Sequence, residues 1–405
     1  MSFQQGLSGL AAAARNLDAI GNNVANASTV GFKSSSLVFA DVYANSLGAS
    51  VSSSVGIGTA VAAVQANFGQ GNLRSTSNPL DVAINGSGFF RMDTNGAISY
   101  SRNGQFHLDK DGYLVNATGA KATGYGVDNN GDILVANPAP LQVSSAQLPA
   151  TPTATGQIGL NLDAREEVIT AAFDINNAAT YNKATSLTTY DSLGNAHSLS
   201  TYYVKTAANT WDVYAAMDGT PLGAVAGTLN YDADGTLNTT TTTLPFTLSL
   251  THANGATTPQ AVALDFASST QFGSAFSVDT LGQDGFAAGQ LAGYGIGDDG
   301  TIIGRYSNGQ TRNLGQLVLA NFKNPLGLSP LGNNGFAETS ESGQAIPGIP
   351  GASNFGLVKS GVVEESNVDL TRELVDMITA QRVYQANAQT IKTQDQVLNT
   401  IVNLR

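Results

Sequence analysis

The chain has 405 residues, enough for two to four compact units, and its 42% hydrophobic fraction buries real cores and excludes wholesale disorder. Only 12% of residues are charged, 18 basic against 30 acidic, for a net charge of −12; such a surface does not neutralise phosphates, which excludes nucleic acid and anionic membrane surfaces as partners. Cysteine is absent, which excludes disulfides, thiolate metal sites and cysteine nucleophiles.

The first periodic element starts at Phe3. Apolar or small residues fall at Phe3, Leu7, Leu10, Ala14, Leu17, Gly21 and Val24, in alternating steps of four and three. That heptad seam predicts a helix about 33 Å long. Asn22, Asn23 and Asn26 weaken it, and Thr29-Val30-Gly31-Phe32 ends it. The apolar run 7–20 carries Arg15, Asn16 and Asp18 and is too short to cross a bilayer, so no membrane insertion is expected. Residues 1–6 contain no basic start, so no cleavable signal peptide is expected and any export must use another route. Residues 39–70, rich in Ser, Gly and Ala, read as an extended connector.

The middle of the chain has β grammar. Asn95-Gly96, Asn103-Gly104 and Asp111-Gly112 recur every eight residues, with Thr118-Gly119 close behind. Short alternating segments separate them, and Asn-Gly or Asp-Gly in that setting predicts hairpin turns and a β-meander. The same pattern returns at Asp299-Gly300 and Asn308-Gly309, followed by Leu317-Val318-Leu319. Between the two lies a stretch of different texture, from Pro138-Ala139-Pro140 to Gly282-Gln283-Asp284-Gly285, with strand candidates at 186–189, 199–205, 211–215 and 246–250. It reads as a β domain inserted into a loop of the first.

The last element mirrors the first. Ser366-Asn367-Val368-Asp369 offers capping residues and Glu373 falls in the first turn, where the helix dipole favours it. The seam runs Leu374, Met377, Gln381, Tyr384, Ala388, Ile391, Asp395, Leu398, Val402, and residues 370–405 contain no Gly or Pro. One long helix follows, with Gln381 and Asp395 as polar seam positions that set register. The expected fold class is mainly β with long terminal α-helices, in nested split domains. Residues 1–30 with 366–405 form a coiled-coil-like helical layer, and 31–70 with 340–365 form a connector. Residues 71–145 with 285–339 form a split β domain, and 146–284 form the inserted one. The two seams either pair within one chain or pack between subunits; an isolated helix pair of this size is marginal in water.

Motifs that would carry chemistry fail on context. His107, His197 and His252 lack a helical partner at zinc spacing. Gly295-Ile-Gly297-Asp-Asp-Gly300 matches a dinucleotide loop but leads into a strand, and its aspartates would repel a pyrophosphate. Asp109-Lys-Asp111-Gly112 and Asp232-Ala-Asp234-Gly235 lack the remaining ligands of a calcium loop. Glu166-Glu167 and Glu364-Glu365 are neighbours in sequence, which does not make an acid/base pair in space. Neither a catalytic residue, a metal site nor a cofactor is expected, and the chain reads as no enzyme.

The two ends carry a resemblance. Residues Asn22, Asn23, Asn26, Thr29, Gly31, Phe32 and Lys33, within 22–33, resemble the N-terminal signature of bacterial flagellar rod and hook proteins. Ser366, Asn367 and Val368 resemble the entry to their C-terminal segment, and Gln381, Tyr384 and Asn387 lie within a similar run at 377–388. Residues 81–90 and 100–104 are similar to the family's core β domain. Length and the large insert match the hook members; a distal rod or hook–filament junction component is the alternative within the family. From another class, a secreted glycan-binding or wall-degrading protein would place its active module at 141–282.

The resemblance implies a subunit of a curved tubular homopolymer with a central channel, joining rod to filament and transmitting torque as a universal joint. It implies as partners other copies of the chain, a distal rod protein, a hook cap, a hook–filament junction protein and the flagellar type III export apparatus, with an extracellular location at the hook. The expected subunit interface is formed by Phe3, Leu7, Leu10, Leu17, Val24, Leu374, Met377, Tyr384, Ile391, Leu398 and Val402.

Overall fold

The structure, a computed structural model, describes residues 2–42, 56–128 and 130–403. It is mainly β, with one long helix at each end, and divides into two compact units. One comprises Met1–Ser144, Gly293–Gly304 and Thr311–Arg405; the other comprises Ser145–Ala292 and Arg305–Gln310.

In the first unit, helix α1 (Ser2–Ala25) and helix α2 (Leu370–Asn403) are close to the predicted spans. Asp369 caps α2, its carboxylate accepting the Thr371 and Arg372 amides at 2.9 and 3.3 Å. The helices pair through small residues. A methyl group added to Gly6 would come within 3.1 Å of Ile391, and one added to Gly9 within 2.7 Å of Asn387 Oδ1. Ala12, Ala13, Ile20 and Ala380 are buried beside this contact. Against α1 lies an antiparallel pair, β1 (Ser35–Val42) and β2 (Gly58–Ala66), in register from Ser35↔Ala66 to Val42↔Gly58 with a bulge at Val38/Phe39. The stretch read as an extended connector therefore contains a strand pair; residues 43–55 lie outside the described residues.

The β part follows the turn residues. Phe89–Thr94 and Ala97–Ser101 form a hairpin at Asn95-Gly96, both in the left-handed region (φ 53° and 93°). Phe106–Leu108 and Leu114–Asn116 pair around Gly112 at φ 81°, with the Asp109 carboxylate accepting the Asp111 and Tyr113 amides. Lys121–Tyr125 then pairs with Phe89–Thr94 and with Thr311–Leu317. Asn103-Gly104 departs from the expected meander and makes no hairpin, because Ala97–Ser101 pairs instead with Gly335–Ala337. Gly104 is needed for another reason: a Cβ there would run into the Val82 carbonyl, and the Val82 amide donates to Gly104 O at 2.8 Å. The core has an edge-packed aromatic cluster, with Phe68 5.2 Å from Phe89 and Tyr100 4.8 Å from Phe322.

The second unit is a β-sandwich. One sheet orders Phe246–Leu250, Gln260–Asp265, Thr155–Asn161 and Ser277–Gln283; the other is built on Lys183–Tyr190, Ala196–Ala207 and Thr210–Met217. Alternate residues of Phe246–Leu250 point inward, the period-two pattern of a half-buried strand. Both sheets contribute to a core holding Leu160, Leu199, Tyr203, Trp211, Leu250 and Phe266. The buried Trp211 indole N–H donates to Gln271 Oε1 at 2.8 Å, so the largest core residue leaves no polar group unpaired.

Candidate assembly interface

Helix α1 carries two stripes one residue apart. The stripe at 6, 9, 13, 16, 20 and 23 faces α2 and the β1–β2 pair and is small or polar apart from Ile20. The bulkier stripe beside it holds the predicted seam. Phe3 and Leu7 are 45% and 53% exposed, and Leu10, Leu17 and Val24 are half-buried. On α2, Leu374, Tyr384 and Leu398 are exposed, Met377 and Ile391 are half-buried, and the Val402 side chain lies outside the described residues. Leu370, Val375, Ile378, Val383 and Val397 are also exposed, with Val375 at 58%. Of the seam residues, Ile391 packs against Gly6 where the helices pair, whereas Phe3, Leu7, Leu374, Tyr384 and Leu398 remain exposed. Exposed apolar side chains at this density are a common feature of interaction surfaces. A groove of about 620 Å³ opens between α1, α2 and β1, lined in part by Ala13, Ile20, Phe39, Asp376 and Val383.

The signature residues hold the ends together. Asn23 is buried; its amide donates to Ser35 O at 2.9 Å and Glu373 Oε1 at 3.0 Å, while its oxygen accepts the Ser35 amide at 2.9 Å. That one side chain ties α1, α2 and β1. Burial pushes the Glu373 carboxyl above its ordinary value, helped by the Asp376 and Asp369 carboxylates and opposed by the Asn23 hydrogen bond and Arg372. Asn26 donates to Asn22 and accepts from Thr29, closing the end of α1. Asn367 accepts the Ser34 amide and donates to Asn67 O and Gly69 O. Gly31 sits at φ 71°, where a Cβ would lie 2.6 Å from the Asn103 amide nitrogen. Phe32, Ser366 and Val368 are half-buried, Gln381 is exposed, and Asn387 stands over Gly9.

Lys33 leads to a site that sequence reasoning missed. Its ammonium donates to Glu364 Oε1 at 2.6 Å with both side chains fully buried, and Arg102 Nη1 reaches Glu364 Oε2 at 3.4 Å. The Gly71 amide also donates to Glu364 Oε1, and Lys33 donates to Gly69 O. Burial pushes both Lys33 and Arg102 below their ordinary values, against the pull of Glu364. Glu364 is one of two adjacent carboxylates, and Glu365 beside it makes only an exposed pair with Arg74. The departure from period-two exposure at 363–364, where both residues are buried, needed the fold to be visible.

The loops set aside as chemistry are turns. In the glycine-rich 295–300 segment Gly300 adopts φ 78° and Asp299 accepts the Thr301 amide and hydroxyl. Asp232 accepts from Asn238, and Asp234 caps Thr236. His107 lies on Phe106–Leu108; His197 and His252, which lack a partner at zinc spacing in the sequence, come together in the fold with ring centroids 4.8 Å apart.

Four family models match the chain: Flagella basal body rod protein over residues 3–33, the Flagellar hook protein FlgE/F/G D1 domain over 83–171, the Flagellar basal body protein FlaE D2 domain over 161–286, and the Flagellar basal body rod FlgEFG protein C-terminal over 359–404. The flagellar hook protein FlgE of Escherichia coli K12 is 45% identical over 412 residues, covering 100% of each chain. That of Salmonella typhimurium LT2 is 44% identical over 420 residues, again covering 100% of both. That of Borreliella burgdorferi is 33% identical over 441 residues, covering 100% of this chain and 99% of that one. Among solved structures, the Helicobacter pylori flagellar hook protein FlgE2 aligns with 71% of this chain and 99% of its own, at a TM-score of 0.54 and 15% identity, a likeness of fold. Full-length identity, the terminal signatures and the helix-flanked β architecture agree: the chain belongs to the flagellar hook protein family.

Proposed function

We propose that this chain is the structural subunit of a bacterial flagellar hook, a homopolymer that joins rod to filament and transmits torque while bending. The observation that carries the assembly mechanism is the exposed apolar side chains on α1 (Phe3 and Leu7) and along α2, which accompany the small-residue face of α1 that already pairs the helices. In the polymer, Phe3, Leu7, Leu10, Leu17, Val24, Leu374, Met377, Tyr384, Leu398 and Val402 pack against helices of neighbouring subunits and build the wall of a channel; Ile391 serves both contacts. Burying each leucine there contributes about 1.5–3 kcal/mol, so a few per subunit suffice to drive association. With only 12% charged residues, the β surfaces meet their neighbours through weak polar contacts that slide as the tube bends. Distal rod, hook cap and junction proteins are the partners at either end, and export proceeds through the flagellar type III apparatus without a cleaved signal. No catalytic role is assigned.

Leu7→Asp and Leu398→Asp place a charge on positions exposed in the single subunit, so the fold stays intact. Negative-stain microscopy of each, under conditions where the parent chain forms curved hollow tubes, yields only folded subunits. Tubes from either variant would refute the seam as the interface.

A further inference from the structure

The second unit holds a polar cluster that the hook role does not use. Asp191 follows strand Lys183–Tyr190, His197 lies on Ala196–Ala207, and Asp218 follows Thr210–Met217, all in one sheet of the sandwich. His252 follows Phe246–Leu250 of the other sheet. The two connecting loops are joined, because Asn254 Nδ2 donates to Asp191 Oδ2 and the Thr257 amide donates to Ser192 Oγ at 2.8 Å.

Hydrogen bonds fix which ring nitrogens are free. Gln260 Nε2 donates to Thr153 O at 2.7 Å and Tyr190 O at 3.0 Å, so its Oε1 is the acceptor facing His252. His252 Nε2–H therefore donates to it at 2.7 Å, which leaves Nδ1 as a bare lone pair. That Nδ1 is buried and has no partner among the described residues, on a side chain only 9% exposed. His197 Nδ1–H donates to the Asp218 carboxylate at 2.7 Å, leaving Nε2 3.4 Å from Asp191 Oδ2. A carboxylate or amide oxygen holding the far nitrogen is how a ligating imidazole is oriented and its basicity raised. Asp191 is itself braced: Oδ1 accepts the Leu193 and Asn195 amides, and Oδ2 accepts the Asn195 and Asn254 side chains.

We propose that Asp191, His197 and His252 bind a divalent cation of the zinc class, with Asp218 and Gln260 as the residues that orient the imidazoles. One ligand atom of each of the three lies within 4.8 Å of the others. Tetrahedral bonds of about 2.1 Å set donors about 3.4 Å apart, so small side-chain rotations close the site around the ion. The ion replaces the long His197–Asp191 contact, takes up the orphan Nδ1 and leaves a fourth position for water. It would clamp the two sheets of this unit at one end. A proton shared between His197 and Asp191 would satisfy that pair, but it would leave His252 Nδ1 buried and unpartnered.

The test is titration of the full-length, chelator-treated chain in its unassembled form with Zn²⁺ by calorimetry and with Co²⁺ by visible absorption. The expected result is one equivalent bound, tetrahedral Co²⁺ bands, and a Zn²⁺-dependent rise in melting temperature. Asp218→Asn, at a half-exposed position that should fold normally, lowers affinity about 10–100-fold. His252→Ala abolishes binding, and His107→Ala, in the other unit, leaves it unchanged. Absence of saturable binding by the parent chain would overturn the proposal. So would binding that survives both His197→Ala and His252→Ala, whether or not those variants lose stability.

Discussion

Replacing Glu364 by Gln removes the carboxylate that faces Lys33 Nζ at 2.6 Å and Arg102 Nη1 at 3.4 Å, in a setting where the three side chains are 0–4% exposed. Taking one partner from a buried ion pair costs about 3–5 kcal/mol, because the remaining charge stays dehydrated. Burial already pushes the Lys33 ammonium below its ordinary value, and removing the Glu364 pull that opposes this eases its deprotonation, which softens the loss. Arg102 has no such escape at ordinary pH, which keeps the cost substantial. A unit of this size loses ~2–4 °C of Tm per kcal/mol, so calorimetry should show a fall of roughly 6–20 °C. Glu365→Gln is the control. Its pair with Arg74 is exposed and should be worth about 0–1 kcal/mol. The double variant Lys33→Met with Glu364→Gln should recover part of the loss, since it removes both members of the pair. Equal melting shifts for Glu364→Gln and Glu365→Gln would refute the buried anchor.

Asn23→Ala strips three hydrogen bonds from the junction of α1, α2 and β1 and should cost about 1–3 kcal/mol, with faster hydrogen exchange at the Ser35 amide as the readout. Gly31→Ala forces a side chain into the left-handed region against the Asn103 amide and should lower stability by about 1–3 kcal/mol in chemical denaturation. Burial, then the nearby Glu338 carboxylate, pushes the Tyr100 phenol from 10.0 up to about 12. The folded state therefore favours the neutral phenol: the contribution is present below 10.0 and is lost as pH rises from there towards about 12. Tyr100→Phe should flatten that part of an alkaline denaturation profile.

Elements with local causes were legible. The reach of α2 follows from Asp369 at its start and the absence of Gly and Pro behind it, and Gly96 and Gly112 mark true turns. The helix-pairing face was harder to read. Bulky residues draw the eye to Phe3, Leu7 and Leu10, whereas close backbone approach needs Gly6, Gly9 and Ala13 one position away. Asn103-Gly104 looks like a turn, yet its glycine answers to the Val82 carbonyl from a distant strand. Glu364 and Lys33 are 331 residues apart in sequence, so no local pattern could join them. His197 lies on one sheet and His252 just beyond a strand of the other, and only the closed sandwich brings their rings within 4.8 Å.

The chain's lack of cysteine makes the central claim directly measurable. Single variants Leu7→Cys and Leu374→Cys carry a thiol at positions 53% and 49% exposed in the isolated subunit, open to a maleimide reagent. Labelling rates are compared before and after polymerisation into tubes. The account predicts fast reaction in the subunit and strong protection of both thiols in the tube, as neighbouring helices cover the stripes. Thiols that react as fast in the tube as in the free subunit would contradict it.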